Sequence, residues 1–193
     1  MNGNLAYKLE PQEEIIGGKV VMMATPTSNH NRVTRNLSNI FGNFLKGHTC
    51  EYFSDREALF LEEDMEEYQP DGMVICDQSK VRDKGVFGAP DLVVEVLSPS
   101  TAGYDRRHKK EVYEKHGVRE YWIVNPADRS VEQHILENGL FVLQGVYSLY
   151  PDFMLEDMRL EERAALVTEF RCSLFEDLSI RLVDVFDRVT PGV

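Results

Sequence analysis

The chain has 193 residues, of which 42% are hydrophobic and 28% charged, with 33 acidic against 21 Lys and Arg side chains and a net charge of −12. That length fits one α/β or α+β domain over residues 1–193 that buries a core without staples. No apolar run approaches 18 residues and Met1–Pro11 is polar, so neither a membrane span nor a signal peptide is expected, and a cytoplasmic protein is. The charge excludes an extended basic face of the kind that grips a phosphate backbone without sequence preference. Only a local positive cleft remains possible: Glu62–Glu67 concentrates acid, and Arg106, Arg107, His108, Lys109 and Lys110 form one compact basic block. Cys50, Cys76 and Cys172 are odd in number, scattered and outside CxxC spacing, which predicts reduced thiols rather than a disulfide frame or a zinc site.

In chain order, Glu14–Ile16 and Val20–Met23 flank the turn pair Gly17–Gly18, a hairpin within residues 12–25. A helix follows over about His30–Leu45: Val33, Leu37, Ile40, Phe41 and Phe44 recur at spacings of three and four, Ser28 or Asn29 can cap it, and Gly47 lies near its end. Strands are expected near Cys50–Phe53 and Ala58–Leu61, then an acidic loop over 62–67, then a strand in Gln69–Cys76 opened by Pro70. Residues 77–89 read as a loop. Pro90–Leu97 reads as a central strand, almost wholly apolar as in strands covered on both faces. Ser98–Thr101 breaks it and caps a helix of about Ala102–His116, closed by Gly117. Glu120–Val124 is another strand, Val131–Leu136 and Phe141–Leu143 form a hairpin around Asn138–Gly139, a strand is expected near Leu155–Leu160, and a last helix over Ser179–Arg188.

The informative residue is Glu95, a carboxylate between Val94 and Val96 in an apolar strand. A buried charge is costly unless it is paired or holds a metal. Asp71 begins the preceding strand at a similar Pro–Asp step. If the two strands pair, both carboxylates converge on one divalent cation, and Mg²⁺ takes one or two carboxylates plus waters and phosphate oxygens. Asp105, Lys109, Val112, Tyr113 and His116 share a helix face that Val112 and Tyr113 turn toward the sheet, so Lys109 can aim its ammonium at the same place and orient water or stabilise phosphate charge.

These residues resemble a known family. The runs YQPDGMVICD, APDLVVEVLSPST and DRRHKKEVYEKHGVREYWIVNP, with the opening EEIIGGKVVMMATPTSNHNRV and the closing LFEDLSIRLVDVF, resemble the Uma family of restriction-endonuclease-like proteins, assigned by fold to the PD-(D/E)XK nuclease superfamily. The resemblance covers nearly the whole chain. It implies a mixed central β-sheet flanked by helices with an N-terminal hairpin, a divalent metal (Mg²⁺ or Mn²⁺), DNA as substrate and often a homodimer. It implies Asp71 and Glu95 as catalytic acids and metal ligands, and Lys109 as the catalytic lysine. The usual lysine two residues after the second acid is absent, that position being Leu97; in this family it stands on the following helix, which corresponds to Lys109. Gly17–Gly18–Lys19 replaces the Asp-Gly-Glu common in relatives, which weakens the case for a further acid in the first hairpin.

Each residue has a plainer reading: Glu95 as a buried structural carboxylate, Asp71 as a turn residue, Lys109 as a snorkelling lysine. Asp91 shares the face of Glu95, but four strand residues span about 13 Å, too far to share an ion, so it is expected to close the strand's start or hold a basic residue. His30, opening the first helix, is an auxiliary candidate behind an exposed surface role. Lys110 lies one position off the stripe and can pair with Glu114. Ser98 reads as a cap, and Tyr113, Tyr121 and Trp122 as core or interface rather than base-stacking platforms. The leading expectation is a metal-dependent endonuclease acting on DNA. The alternatives are a catalytically inactive dimeric module that keeps the fold, which the net charge favours, and a phosphohydrolase acting on nucleotides or RNA.

Overall fold

The computed structural model describes residues 13–23, 25–54, 57–98 and 105–190. Two six-stranded sheets form the body. The first holds β3 (Glu51–Ser54), β6 (Gly72–Ile75), β9 (Leu92–Val96), β10 (Glu120–Asn125), β11 (Ser130–Glu137) and β12 (Leu140–Ser148), in the spatial order β12-β11-β10-β9-β6-β3. β9 is its buried centre, parallel to β10 and antiparallel to β6. Every residue of β6 and β9 is buried, which is why both read as near-continuous apolar runs. The second sheet holds β1 (Glu13–Ile16), β2 (Lys19–Met22), β4 (Leu59–Glu62), β5 (Glu66–Tyr68), β7 (Val81–Arg82) and β8 (Gly85–Phe87), in the order β2-β1-β5-β4-β8-β7.

Strand alternation on β9 and β10 divides the interior in two. Val94, Val96, Trp122 and Val124 face α1 (Ser28–Phe44), which contributes Val33, Leu37 and Phe41 to that core. Val93, Tyr121 and Ile123 face the other way, onto Val112 and Tyr113 of α2 (Lys110–His116) and onto Leu59, Tyr68 and Val86 of the second sheet. The stripe read from the sequence on α1 is therefore a core stripe. Its cap is Thr27, whose hydroxyl accepts from the His30 amide, rather than Ser28 or Asn29. Gly117, with φ of 83°, closes α2 in the left-handed conformation.

Several sequence expectations are corrected. The acidic run is not all loop: Glu66–Tyr68 is β5, which pairs with β1 and β4 and keeps only Tyr68 buried. Residues 77–89 include a 3₁₀ turn over Gln78–Lys80 and then β7 and β8, the latter running parallel to β4. The helix expected over Ala102–His116 is π-wound over Asp105–Lys109 before continuing as α2, and its first residues lie outside the described ones. The strand expected near Leu155–Leu160 is two short helices, α3 (Asp152–Asp157) and α4 (Leu160–Ala164), and neither buries a residue. The expected last helix is a strand, β14 (Ser179–Arg181), paired with β13 (Glu169–Arg171), and then a single turn, α5 (Leu182–Val185). Cys50 and Cys76 are disulfide-bonded rather than reduced. The β3–β6 register that sets Glu51 opposite Ile75 brings the two cysteines face to face, and Cys172 remains a free buried thiol.

His134 of β11 lies opposite Tyr121 and is buried, with its Nε2 3.7 Å from Oε2 of Glu132. Burial, then the charge of Lys110, lowers its pKa, against the weaker opposing pull of Glu132. An unfolded histidine titrates near pH 6.5, roughly. The folded chain holds the ring neutral, so the stability it contributes is present above about pH 6.5 and lost as pH falls through the lowered folded value. Urea denaturation of His134→Phe is expected to show a flatter fall in stability than wild type below neutral pH, and parallel curves would count against this account.

Candidate active site

Four chain segments converge where β9 meets the end of the hairpin. Glu95 stands on the face of β9 that looks at α2 and is nearly inaccessible. Lys109, the last residue of the π-wound turn, is 1% exposed and reaches back to the sheet. Its Nζ lies 3.1 Å from Oε1 of Glu95 and 3.0 Å from Oε1 of Glu14. Glu14 is the one buried residue of β1, with a side-chain exposure of 0%. The amide of Gln69 also donates to its Oε1 at 3.1 Å, while its Oε2 is buried and has no hydrogen-bond partner among the described residues. Such an atom is costly inside a protein unless something else satisfies it.

Tyr113, one turn after Lys109, donates its hydroxyl to Oε1 of Glu95 at 2.7 Å. Burial, then the charge of Glu95, holds its pKa well above the ordinary value, so the phenol stays a donor. Tyr68 of β5 brings its ring to 5.8 Å from the Lys109 ammonium and packs edge-on against Tyr113. The lysine therefore sits between two carboxylates beside an aromatic ring, which accounts for a buried cation here.

Asp71 immediately precedes β6. The ladder pairs Gly72 with Val94, which sets Asp71 beside Glu95 across the sheet. Its Oδ2 accepts the Val96 amide at 2.7 Å and its Oδ1 meets Nε2 of His30 at 3.0 Å. The side chains of Asp71 and His30 are 21% and 13% exposed, whereas those of Glu14, Glu95 and Lys109 are sealed.

The structure thus joins Glu95 and Lys109 directly and sets Asp71 across the β6–β9 ladder from Glu95, paired with His30, which the sequence reads first as exposed and only second as an auxiliary candidate. Asp91 is elsewhere: it accepts the Cys76 amide at 2.8 Å and pairs with Arg119 at 3.2 Å, the expected strand-start role. Tyr113, Tyr121 and Trp122 are core. Glu114 accepts the Phe141 amide. Glu14 is the residue sequence reasoning missed. The signal was available, since period-two alternation puts Glu14 on the same face as the core-packed Ile16.

Carboxylates are hard oxygen donors suited to Mg²⁺ or Mn²⁺, and the unsatisfied Oε2 of Glu14 is an oxygen such an ion would satisfy. As the side chains stand, no three His, Cys, Asp or Glu among the described residues are grouped to hold an ion. The place between Glu14 and Glu95 is filled by Lys109. Glu14 and Glu95 are oxygen donors of the kind a divalent cation takes, with the Lys109 ammonium between them.

This mixed α+β architecture, with two packed sheets and few helices, is the restriction-endonuclease-like nuclease fold. A crystal structure described as "a putative nuclease belonging to DUF820", from Anabaena variabilis, superposes with a TM-score of 0.67 at 20% identity over 94% of this chain and 93% of that one. The model of the Uma2 family, described as "Putative restriction endonuclease", matches residues 5–166, and the chain belongs to that family. Two Synechocystis sp. proteins are similar: sll1609, 31% identical over 126 residues (64% of this chain, 71% of that protein), and slr1290, 30% identical over 122 residues (63% and 64%). Both carry the name "Uncharacterized protein". No helix among the described residues is long and apolar enough to cross a membrane.

Proposed function

We propose that the protein is a Mg²⁺- or Mn²⁺-dependent endonuclease that hydrolyses DNA phosphodiester bonds at the cluster of Glu14, Asp71, Glu95 and Lys109. The observation that carries this reading is a buried lysine among acidic side chains beside an accessible aspartate, at the end of the central strands of a nuclease fold. Asp71 and Glu95 are the metal ligands of this reading, joined by Glu14. When bound, the cation supplies Lewis acidity toward the scissile phosphate. Asp71 is fixed by the Val96 amide and His30, so its carboxylate is aimed before substrate arrives. Tyr113 fixes Glu95 in the same way. The Lys109 ammonium places positive charge where negative charge builds as water adds to phosphorus and the bond to the leaving alcohol breaks. The net charge of −12 makes this a site with a local grip on DNA rather than a broad one.

The test is cleavage of supercoiled plasmid with Mg²⁺ or Mn²⁺. Wild type is expected to nick or linearise it, and Glu95→Ala and Lys109→Ala are each expected to lose about 100-fold or more of that activity. Full activity in Glu95→Ala would sink the assignment. A folded wild type inert with both metals would favour the inactive binding module, a reading that the lysine seated between the glutamates also fits.

A further inference from the structure

We infer that Lys109 is an internal competitor for the metal: its ammonium holds the seat between Glu14 and Glu95, and a divalent cation must displace it to bind. This rests on the metal-site reading above and adds to it how the site is regulated.

The geometry carries the argument. One ammonium, 1% exposed, lies 3.0 Å and 3.1 Å from two carboxylate oxygens on different sheets. It is a monovalent cation already placed where oxygen donors converge. A second cation brought to those oxygens meets a like charge a few ångströms away, which disfavours both. A cation that takes those oxygens therefore moves the ammonium aside, which its long unbranched stem allows. Displacement frees the Oε1 atoms of Glu14 and Glu95. The Oε2 of Glu14, buried and without a hydrogen-bond partner among the described residues, is an oxygen that an arriving cation would satisfy. Metal binding and release of the Lys109 ammonium are then a single event.

The experiment is calorimetric titration of Mn²⁺ into wild type and into Lys109→Met, which keeps much of the stem and removes the charge. Lys109→Met is expected to bind Mn²⁺ about tenfold more tightly or better, because the competing like charge is gone. Equal or weaker binding by a folded Lys109→Met, with wild-type binding intact, overturns the inference and leaves the metal-site reading standing. Absence of Mn²⁺ binding in both folded proteins overturns the metal-site reading itself and the inference with it. Should Lys109→Met fail to fold, the wild type supplies the answer by NMR of ¹⁵N-labelled lysine. A buried ammonium pinned by two carboxylates exchanges slowly and gives a distinct Nζ signal. Saturation with Mg²⁺ is expected to shift or abolish that signal. An unchanged signal at saturation refutes displacement.

Discussion

Glu120→Ala is expected to destabilise the protein by about 3–5 kcal/mol, because several buried donors lose their acceptor together at about 1–3 kcal/mol each. Glu120 opens β10 with an exposure of 0% and has no basic partner in its hydrogen-bond set. Its charge is held by dipoles instead. Oε1 accepts from the Trp122 indole and the Gln133 amide, each at 2.6 Å, and Oε2 accepts from the Ser173 amide at 2.9 Å and the Ser173 hydroxyl at 2.5 Å. Gln133 also reaches the carbonyl of Arg171 at 2.8 Å. The carboxylate therefore ties β10 and β11 to the turn between β13 and β14, and so docks the C-terminal hairpin on the sheet. Alanine leaves these donors buried without an acceptor, at about 1–3 kcal/mol for each group that water cannot reach. Glu120→Gln keeps the shape but turns an amide NH₂, itself a donor, toward donors, so an intermediate loss is expected. Urea denaturation measures both, and a loss below about 1 kcal/mol for Glu120→Ala would show the network to be dispensable. The same surroundings keep Cys172 unreactive: burial and then the Glu120 charge raise its thiol pKa.

Glu14→Gln is expected to cut plasmid cleavage by about 100- to 1000-fold while the chain still folds, the span seen when one charged or donor group is removed from a preorganised site. The amide oxygen can still accept from Gln69 and Lys109, so the hairpin stays anchored. What is lost is one negative charge and the second carboxylate oxygen, now buried and unmet. A structural role for Glu14 predicts a lower unfolding midpoint with cleavage little changed. The site role predicts the reverse, together with weaker Mn²⁺ binding by calorimetry. Cleavage within about threefold of wild type would remove Glu14 from the machinery.

Much of this site was legible in the sequence, for reasons that residues make plain. Glu95 stood out because a carboxylate inside an apolar strand needs an explanation, and Lys109 because it shared a helical face with Val112 and Tyr113. Glu14 obeyed the same rule, but a short hairpin near the chain's start reads as surface, and only the second sheet, which lays β1 on β5, buries it. That pairing was itself hidden, since β5 is Glu-Glu-Tyr and its acidic side chains look like loop. Near Leu155–Leu160 the apolar residues imitated a strand, and the 84% exposure of Leu160 shows that they are no core face. The disulfide depended on strand register, which cysteine spacing does not encode.

The Cys50–Cys76 bond has a mechanical consequence. The closed ring between residues 26 positions apart contains β3, β4, β5 and β6, and so passes from one sheet to the other and back. A pull applied at the chain's two ends is carried across the bond and bypasses those strands. At about 3.4 Å per residue, roughly 85 Å of chain stays out of the extended length while the bond holds. The oxidised and reduced protein should therefore differ in contour length by that amount when stretched, with Asp71 inside the protected ring and Glu95 and Lys109 outside it.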